Sequence, residues 1–378
     1  MGIDVRPVTS RAARRAFIRF PWKIYPGRYA AWVPPLLARE EKRIDPARNP
    51  FFEHGSVELF LAYCERRVVG RIAAIENRLH NDFHDERVGF FGLFEAVDDV
   101  EVATALLDRA PDWLRDGGLE QLRGPANFST NEECGLLVAN FEDPPAILMP
   151  FNPPYYADLL ESWGLVKVKD LLAYKVQDDD VRVERLGRLG RLIERSGHDF
   201  HVRTLRPKRF EEEVALIHDL YNAAWERNWG FLPLTDAEIH HLAKELKPLL
   251  DPELALIGEV DGEPVGFALA LPDVNQALRH LNGRLFPFGI LKLLWHQRGI
   301  RRIRVVALGV RPEYRRRGLD ALLYREIFRH GSRKGYRWAE SSWVLEDNLF
   351  MRQALERMGC HPYKTYRLYD RALDPPNA

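Results

Sequence analysis

Apolar and polar positions change their period several times along this chain, and the changes lay out its elements. Alternation in "DVRPV" and "HVRTL" predicts short strands over Val5–Val8 and Val202–Leu205. Spacings of three and four in "FEEEVALIHDLYNAAW" and in "ALLYREIFRHG", with Leu323 and Ile327 on one face, predict amphipathic helices. Two β-hairpins read from "LFLAYCERRVVGRIAAI", turning at "ERR", and from "LALIGEVDGEPVGFALAL", turning at "DGEP". Each is followed by an unbroken apolar run, "GFFGLFEA" or "IRVVALGV", of the kind a buried strand carries. Helix, strand, glycine-terminated helix and closing strand complete both series. This is a mixed α/β order built on a central sheet.

The two series are one series repeated. Arg6 and Arg203, Gly70 and Gly266, Asn152 and Asn348, and Gly164 and Gly359 stand 195 to 197 residues apart. A constant offset across half the chain predicts two copies of one domain, 1–180 and 199–378. Between them, 181–198 reads as a charged, glycine-containing linker with Arg182, Arg185, Arg188, Arg191 and Arg195. The copies differ by insertions, Arg123–Phe151 in the first and Pro272–Gly299 in the second. Insertions on a repeated scaffold commonly carry specificity.

Composition narrows the function. The 378 residues carry 55 basic and 55 acidic side chains, and a zero net charge argues against a nucleic-acid partner. The scattered cysteines, Cys64, Cys134 and Cys360, indicate neither a disulfide framework nor a metal site, so a reducing cytoplasmic setting is expected. The N-terminus lacks the apolar core of a secretory signal. "LFPFGILKLLW", Leu285–Trp295, falls short of the roughly 20 residues a bilayer requires.

The chemistry gathers at "LGVRPEYRRRGLDALLYREIF", Leu308–Phe328. A basic, glycine-broken turn joins a strand to a helix there. A helix start offers unpaired N–H groups and partial positive charge, glycine allows an anion close to the backbone, and arginine adds planar donors. The turn suits a pyrophosphate.

With Val310, Pro312, Arg315 and Gly318 in place, the stretch resembles the acyl-CoA signature of the GNAT acetyltransferase superfamily. "WAESSWVLEDNLFMRQALERMGC", Trp338–Cys360, is similar to the rest of that site. The resemblance implies two tandem GNAT-like domains, each a mostly antiparallel sheet flanked by helices. It implies acyl-CoA as co-substrate, no metal, and direct attack of an amine on the thioester without a covalent intermediate. In that arrangement the strand ending at Val310 splays from its neighbour, and Leu308, Gly309 and Val310 offer backbone groups to the pantetheine arm. The diphosphate lies on Arg315, Arg316, Arg317, Gly318, Leu319 and Asp320, with Asn348 nearby. Glu340 is a candidate base, with a structural pair to an arginine as the other reading, and Ser342 shares its face. Leu355 stands where many members carry a tyrosine acid; the thiolate then leaves without a protein acid, or Tyr363, Tyr366 or Tyr369 serves, with Tyr366 taken as the candidate and packed strand tyrosines as the other reading. Asp320 departs from the pattern as a carboxylate beside the phosphates, and reads otherwise as a cap on the helix start. Glu346 and Asp347 are expected to cap the next helix.

The first copy has "FEAVDDVEVA", Phe94–Ala103, in place of the turn, with four acids and no glycine. It is expected to bind no CoA and to contribute acceptor contacts, for which Asn127, Ser129, Asn131 and Glu132 are candidates, with a self-capping loop as the other reading. From Val274 to Pro312 there is no acid, while Arg279, Arg284, Lys292, Arg298, Arg301, Arg302, Arg304 and Arg311 are present. This segment reads either as a core helix beside a solvated basic strand or as a cover for an acyl chain or contact with an anionic membrane. The whole pattern resembles a bacterial tandem-GNAT group associated with ceramide synthesis. That implies N-acylation of a lipid amine such as a sphingoid base by a long-chain acyl-CoA, in the cytoplasm or peripherally on the inner membrane. The alternatives are acetyl transfer to a small soluble amine and an inactive acyl-CoA-binding module.

Overall fold

The structure, a computed structural model, describes residues 2–177, 199–226, 228–315 and 317–373. The expected linker helix and Arg316 lie outside the described residues. The chain forms two compact units: 1–170 with 278–293 and 365–378, and 171–277 with 294–364.

Unit 1 carries β1 (Ile3–Pro7), β2 (Gly55–Cys64), β3 (Arg67–Asn77), β4 (Val88–Ala96), β5 (Gln121–Gly124), β6 (Leu136–Ala139), the start of β7 (Val166–Gln177) and the end of β13 (His361–Ala372). Its sheet runs β1-β2-β3-β4-β5-β13, antiparallel except for the parallel β4/β5 pair. Helices α1 (Arg11–Arg19), α2 (Pro21–Ile24), α3 (Leu37–Arg43), α4 (Arg78–His84), α5 (Val100–Asp116) and α6 (Tyr156–Ser162) flank it. Leu106, Leu107, Ala110 and Leu114 of α5 pack on Phe60, Ile72, Ala74 and Phe91 of the sheet.

Unit 2 repeats the plan with the end of β7, β8 (Phe200–Thr204), β9 (Ala255–Val260), β10 (Glu263–Pro272), β11 (Arg302–Val310) and β12 (Trp338–Leu345). The order is β7-β12-β11-β10-β9-β8, and only β11/β12 is parallel. Its helices are α7 (Phe210–Trp225), α8 (Asp236–Leu246), α11 (Leu319–Arg333) and α12 (Leu349–Arg357), while α9 (Asn275–Leu278) and α10 (Gly289–Gln297) lie in the insertion. Alternation divides the sheet's side chains: Leu256 and Ala268 face α11, whereas Ile257 and Phe267 face α7.

The registers explain the repeated landmarks. Gly70 pairs with Ala96 and Gly266 with Val310, each at the end of the buried strand. A Cβ on Gly70 would meet Leu106 of α5 at 2.7 Å, and one on Gly266 would meet the Gly309 oxygen at 3.0 Å. Gly164 and Gly359 both hold positive φ, 93° and 97°, just past a helix end, where a left-handed residue closes the last turn. Asn152 and Asn348 share a position in sequence but differ in work. Asn152 is buried and bonds both backbone groups of Leu137, while Asn348 caps α12.

Unit 1 also buries a histidine. His80 lies 3.2 Å from Glu86 and edge-on to Phe90, and burial, with His84 and Arg123 adding to it, pulls its pKa down to about 4. The unfolded chain therefore takes up a proton between its ordinary 6.5 and about 4 that the folded one refuses, so stability falls as pH drops through that window. Urea midpoints measured from pH 7 to pH 4 should fall, and His80→Gln should flatten the decline relative to its own midpoint at pH 7.

Candidate active site

The site in unit 2 starts from a limit on strand pairing. β11 and β12 are paired in parallel only from Arg302↔Trp338 to Val305↔Ser341, yet β11 continues to Val310 and β12 to Leu345. On its other edge β11 stays paired with β10, through a bulge, to Gly266↔Val310. The two parallel strands thus part after Val305. Val306 and Ala307 are half-exposed, whereas their flanking strand residues are buried. Splaying of the strand before Val310 is what the sequence led us to expect, and Leu308, Gly309 and Val310 are its last three residues. Gly309 admits the neighbouring helix, since a Cβ there would meet the Ala224 methyl of α7 at 2.7 Å.

Beyond β11 the chain makes a short turn, Pro312–Tyr314, and reaches Gly318, which caps α11 with φ 88° and offers no side-chain hydrogen bond. A side chain at this left-handed position would be strained. Leu319 is buried and wedges α11 onto Gly258 and Gly266. Asp320 is the second helical residue, not the cap. Its carboxyl accepts from its own amide and that of Ala321, and burial raises its pKa despite those bonds. Arg317 is exposed and stacks over Tyr314 at 5.2 Å. Arg315 donates from Nε to the Val310 oxygen at 3.2 Å and from its other end to the Ala224 oxygen, so its guanidinium ties the turn to β11 and α7.

Glu340 is completely buried in β12. It accepts from Ser342 Oγ at 2.7 Å and from the Tyr363 hydroxyl, and Arg304 lies 3.9 Å away. Arg304 also donates from Nε to Ser342 Oγ at 2.9 Å and to the Ser342 carbonyl oxygen at 3.1 Å. Sequence alternation put Ser342 beside Glu340 but did not find Arg304. The signal was available, because parallel β11 sets Arg304 directly opposite Glu340. Tyr363 is thus the tyrosine that reaches Glu340. Tyr366 belongs to unit 1, where it is fully buried and packs against Gly135. Tyr369, also in unit 1, donates to Glu161 at 2.9 Å.

Asn348 accepts from the Met351 amide at 3.1 Å, so this asparagine, rather than the expected Glu346 or Asp347, caps α12. Leu355 is buried in the core of the unit. Tyr324 of α11 and Cys360 were not singled out as site residues. Tyr324 bonds the Met351 sulfur at 3.7 Å and also meets Ser341, where the strands part, and burial raises its pKa. Burial pushes the Cys360 thiol up to about 12, which keeps it protonated and a poor nucleophile.

Unit 1 shows the same parting with a different outcome. β4 and β5 pair in parallel only to Phe90↔Arg123, but β4 is buried along its whole length. The insertion turns back onto it. The Ala126 amide bonds the Phe91 oxygen at 2.8 Å, and Asn127 Oδ1 accepts from the Leu93 amide at 2.8 Å. Gly92 makes room, because a Cβ there would collide with the Ala126 carbonyl. Tyr156 donates to Glu95, and its oxygen also accepts from the Ala96 amide, while Tyr155 donates to the Ala96 oxygen. At the following helix start Asp99 caps α5 by accepting from the Glu101 amide. The other proposed acceptor residues sit in the same loop. Buried Ser129 accepts from the Asn131 amide at 3.1 Å. Glu132 lies near Arg43, where burial works against the guanidinium's charge but Glu40, Glu133 and Glu132 outweigh it and raise its pKa.

Among the described residues no cluster of His, Cys, Asp or Glu could hold a metal ion. Residues 214–360 match the acetyltransferase (GNAT) family model. The chain is 38% identical over 378 residues to a bacterial ceramide synthase of Caulobacter vibrioides (strain NA1000 / CB15N), covering 98% of each chain. It is 36% identical over 375 residues to protein YghO of Escherichia coli (strain K12), covering 98% of this chain and 95% of that one. A solved tandem GNAT protein from the clavulanic acid biosynthesis pathway shares the fold at 12% identity, with a TM-score of 0.54 over 99% of this chain and 100% of that one. The chain belongs to the GNAT acyltransferase family, in its tandem form, and is an N-acyltransferase. The co-substrate of that fold is an acyl-CoA.

If Glu340 balances Arg304, removing its carboxylate strands a buried guanidinium. Glu340→Ala should cost about 3–5 kcal/mol in urea denaturation. A stability loss under about 1 kcal/mol would show that Arg304 does not depend on Glu340 for its charge balance.

Proposed function

We propose that unit 2 transfers the acyl group of a long-chain acyl-CoA to the amine of a lipid such as a sphingoid base, by direct attack of the amine on the thioester. The observation that carries the reaction is the parting of β11 and β12 after Val305↔Ser341, which leads into the left-handed helix start at Gly318. In this reading the edge of β11 that parts from β12 after Val305 holds the pantetheine arm and polarises the thioester carbonyl. The backbone from Arg317 to Leu319 receives the diphosphate, with the exposed Arg317 as an adjacent cation. Arg315 shapes the turn through the two carbonyls it binds. Glu340 takes the ammonium proton, directly or through Ser342 or Tyr363, and Tyr366 is given no step. The lipid acceptor rests on the similarity to a bacterial ceramide synthase over nearly the whole of both chains. Unit 1, its corresponding edge filled by Ala126 and Asn127, binds no acyl-CoA in this reading. A long-chain thioester and a lipid amine both partition into bilayers, which supports a peripheral position at the inner membrane in this reading.

The direct test offers palmitoyl-CoA and acetyl-CoA in turn, with a sphingoid base or a polyamine as acceptor, and identifies products by mass spectrometry. An N-palmitoyl sphingoid base is expected. Activity confined to acetyl-CoA and the polyamine would replace the lipid reading with small-amine acetylation.

Two variants test the phosphate turn. Asp320→Asn removes a negative charge from the diphosphate's neighbourhood and should lower KM for the acyl-CoA several-fold, with kcat little changed. Gly318→Ala puts a side chain at φ 88° and should raise that KM about tenfold, consistent with the roughly 1–2 kcal/mol that left-handed backbone costs. Unchanged KM values in both would place the donor elsewhere.

A further inference from the structure

The insertion of the second copy contains a surface that the reaction does not explain. Its base is fixed. Leu281 is buried, Asn282 accepts from the Trp22 indole at 2.8 Å, and the Gly283 oxygen accepts from the Leu37 amide at 3.0 Å. Gly289 starts α10 with no room for a Cβ beneath the Arg284 carbonyl, and the Ile290 amide closes onto the Leu285 oxygen at 2.9 Å. The tip is therefore held on ordered structure.

What this base presents is apolar. Phe286 is 77% exposed, Phe288 67%, Leu291 66%, Leu294 56% and Trp295 70%. Leu291, Leu294 and Trp295 are spaced by three and four on α10, so they share one stripe, and that stripe faces outward. A globular helix normally turns such a stripe inward, so the core-helix reading of this segment is wrong. Hydration of so many large side chains on one tip is costly and marks a binding surface.

The charges beside it select the occupant. Arg284, Lys292 and Arg298 are exposed around the stripe, and no acid occurs from Val274 to Pro312. Lysine and arginine can lay their alkyl stems on an apolar layer while their heads reach an anionic one. Phenylalanine and tryptophan at the tip suit the boundary between headgroups and acyl chains. A protein partner matching this tip would need an apolar pocket ringed with acids. A bilayer containing anionic lipids meets both demands without a shaped pocket.

We infer that Leu285–Arg298 is an interfacial docking element that inserts Phe286, Phe288, Leu291 and Trp295 into the surface of an anionic membrane. The inference concerns the surface, and does not rest on the reaction proposed above. The segment is far too short to span the bilayer, and no described helix is long and apolar enough to do so.

The test is co-sedimentation of the full chain with vesicles of phosphatidylglycerol and phosphatidylethanolamine, against vesicles of phosphatidylcholine alone. Binding to the anionic vesicles is expected, weaker in high salt and weaker on phosphatidylcholine. Replacing Phe286, Phe288, Leu291 and Trp295 together by Ser should weaken it by at least about tenfold. These side chains are exposed, so circular dichroism and the Tm should match the parent, which separates lost docking from lost folding. Lys292→Glu with Arg298→Glu should weaken binding and reduce its salt dependence. The inference is overturned if the parent stays in the supernatant, or if the four-residue variant binds as well as the parent. It is also overturned if the parent is a dimer in analytical ultracentrifugation and the variant a monomer, since a second copy is then the occupant. Acyl transfer is assayed separately on detergent-dispersed substrates, so a parent that stays in the supernatant yet retains transfer refutes this inference alone.

Discussion

Where two parallel strands part inside a sheet, their facing backbone groups lose their partners, and something must replace them. Both units of this protein carry that parting, after Phe90↔Arg123 in one and after Val305↔Ser341 in the other. In unit 1 the replacement is a set of hydrogen bonds from the same unit: Ala126, Asn127 and the tyrosines at the start of α6 satisfy β4 from Phe91 to Ala96. In unit 2 the strand opens at Val306 and Ala307 instead. One geometric fault, closed by an insertion in one unit and left open in the other, separates a scaffold from a site.

The surroundings of the open fault are electrostatically tuned without being strongly charged. Arg315, in a family pattern that suggests a phosphate ligand, is occupied with two carbonyl oxygens and so fixes the turn's shape. Asp320 contributes negative charge at a helix start, where the macrodipole welcomes it, yet burial makes its carboxyl easier to protonate than an ordinary aspartate. Glu340 and Arg304 balance each other in the interior, with Ser342 and Tyr363 completing the network. The side chains around the parting are thus largely matched with one another, while β11 and β12 lose their mutual pairing after Val305.

Much of this was readable from sequence because it is periodic or geometric. The glycines at 70 and 266 repeat because a helix presses on the same strand position in both copies, and Gly318 stands where backbone must turn left-handed. The strand-and-helix order follows from apolar spacing, a local property. What escaped depends on contacts distant in sequence. Nothing near Arg315 shows that the Ala224 oxygen awaits its guanidinium, and nothing near Asn127 points to the Leu93 amide. Tyr363, Tyr366 and Tyr369 look alike in "YKTYRLY", but only their packing distinguishes the one beside Glu340. Leu285–Trp295 was ambiguous because apolarity cannot say whether a helix faces a core or the outside.

The assignment of β7 and β13 to both units has a consequence for how such a pair of copies can be inherited. Residues 171–177, encoded with the first copy, pair along Trp338–Leu345 in the second unit, and residues 369–372, encoded with the second, pair with Gln121–Gly124 in the first. A gene split between the copies would leave each product with a bare sheet edge. Removing the first copy would therefore take from β12 the partner strand it has in Leu171–Gln177.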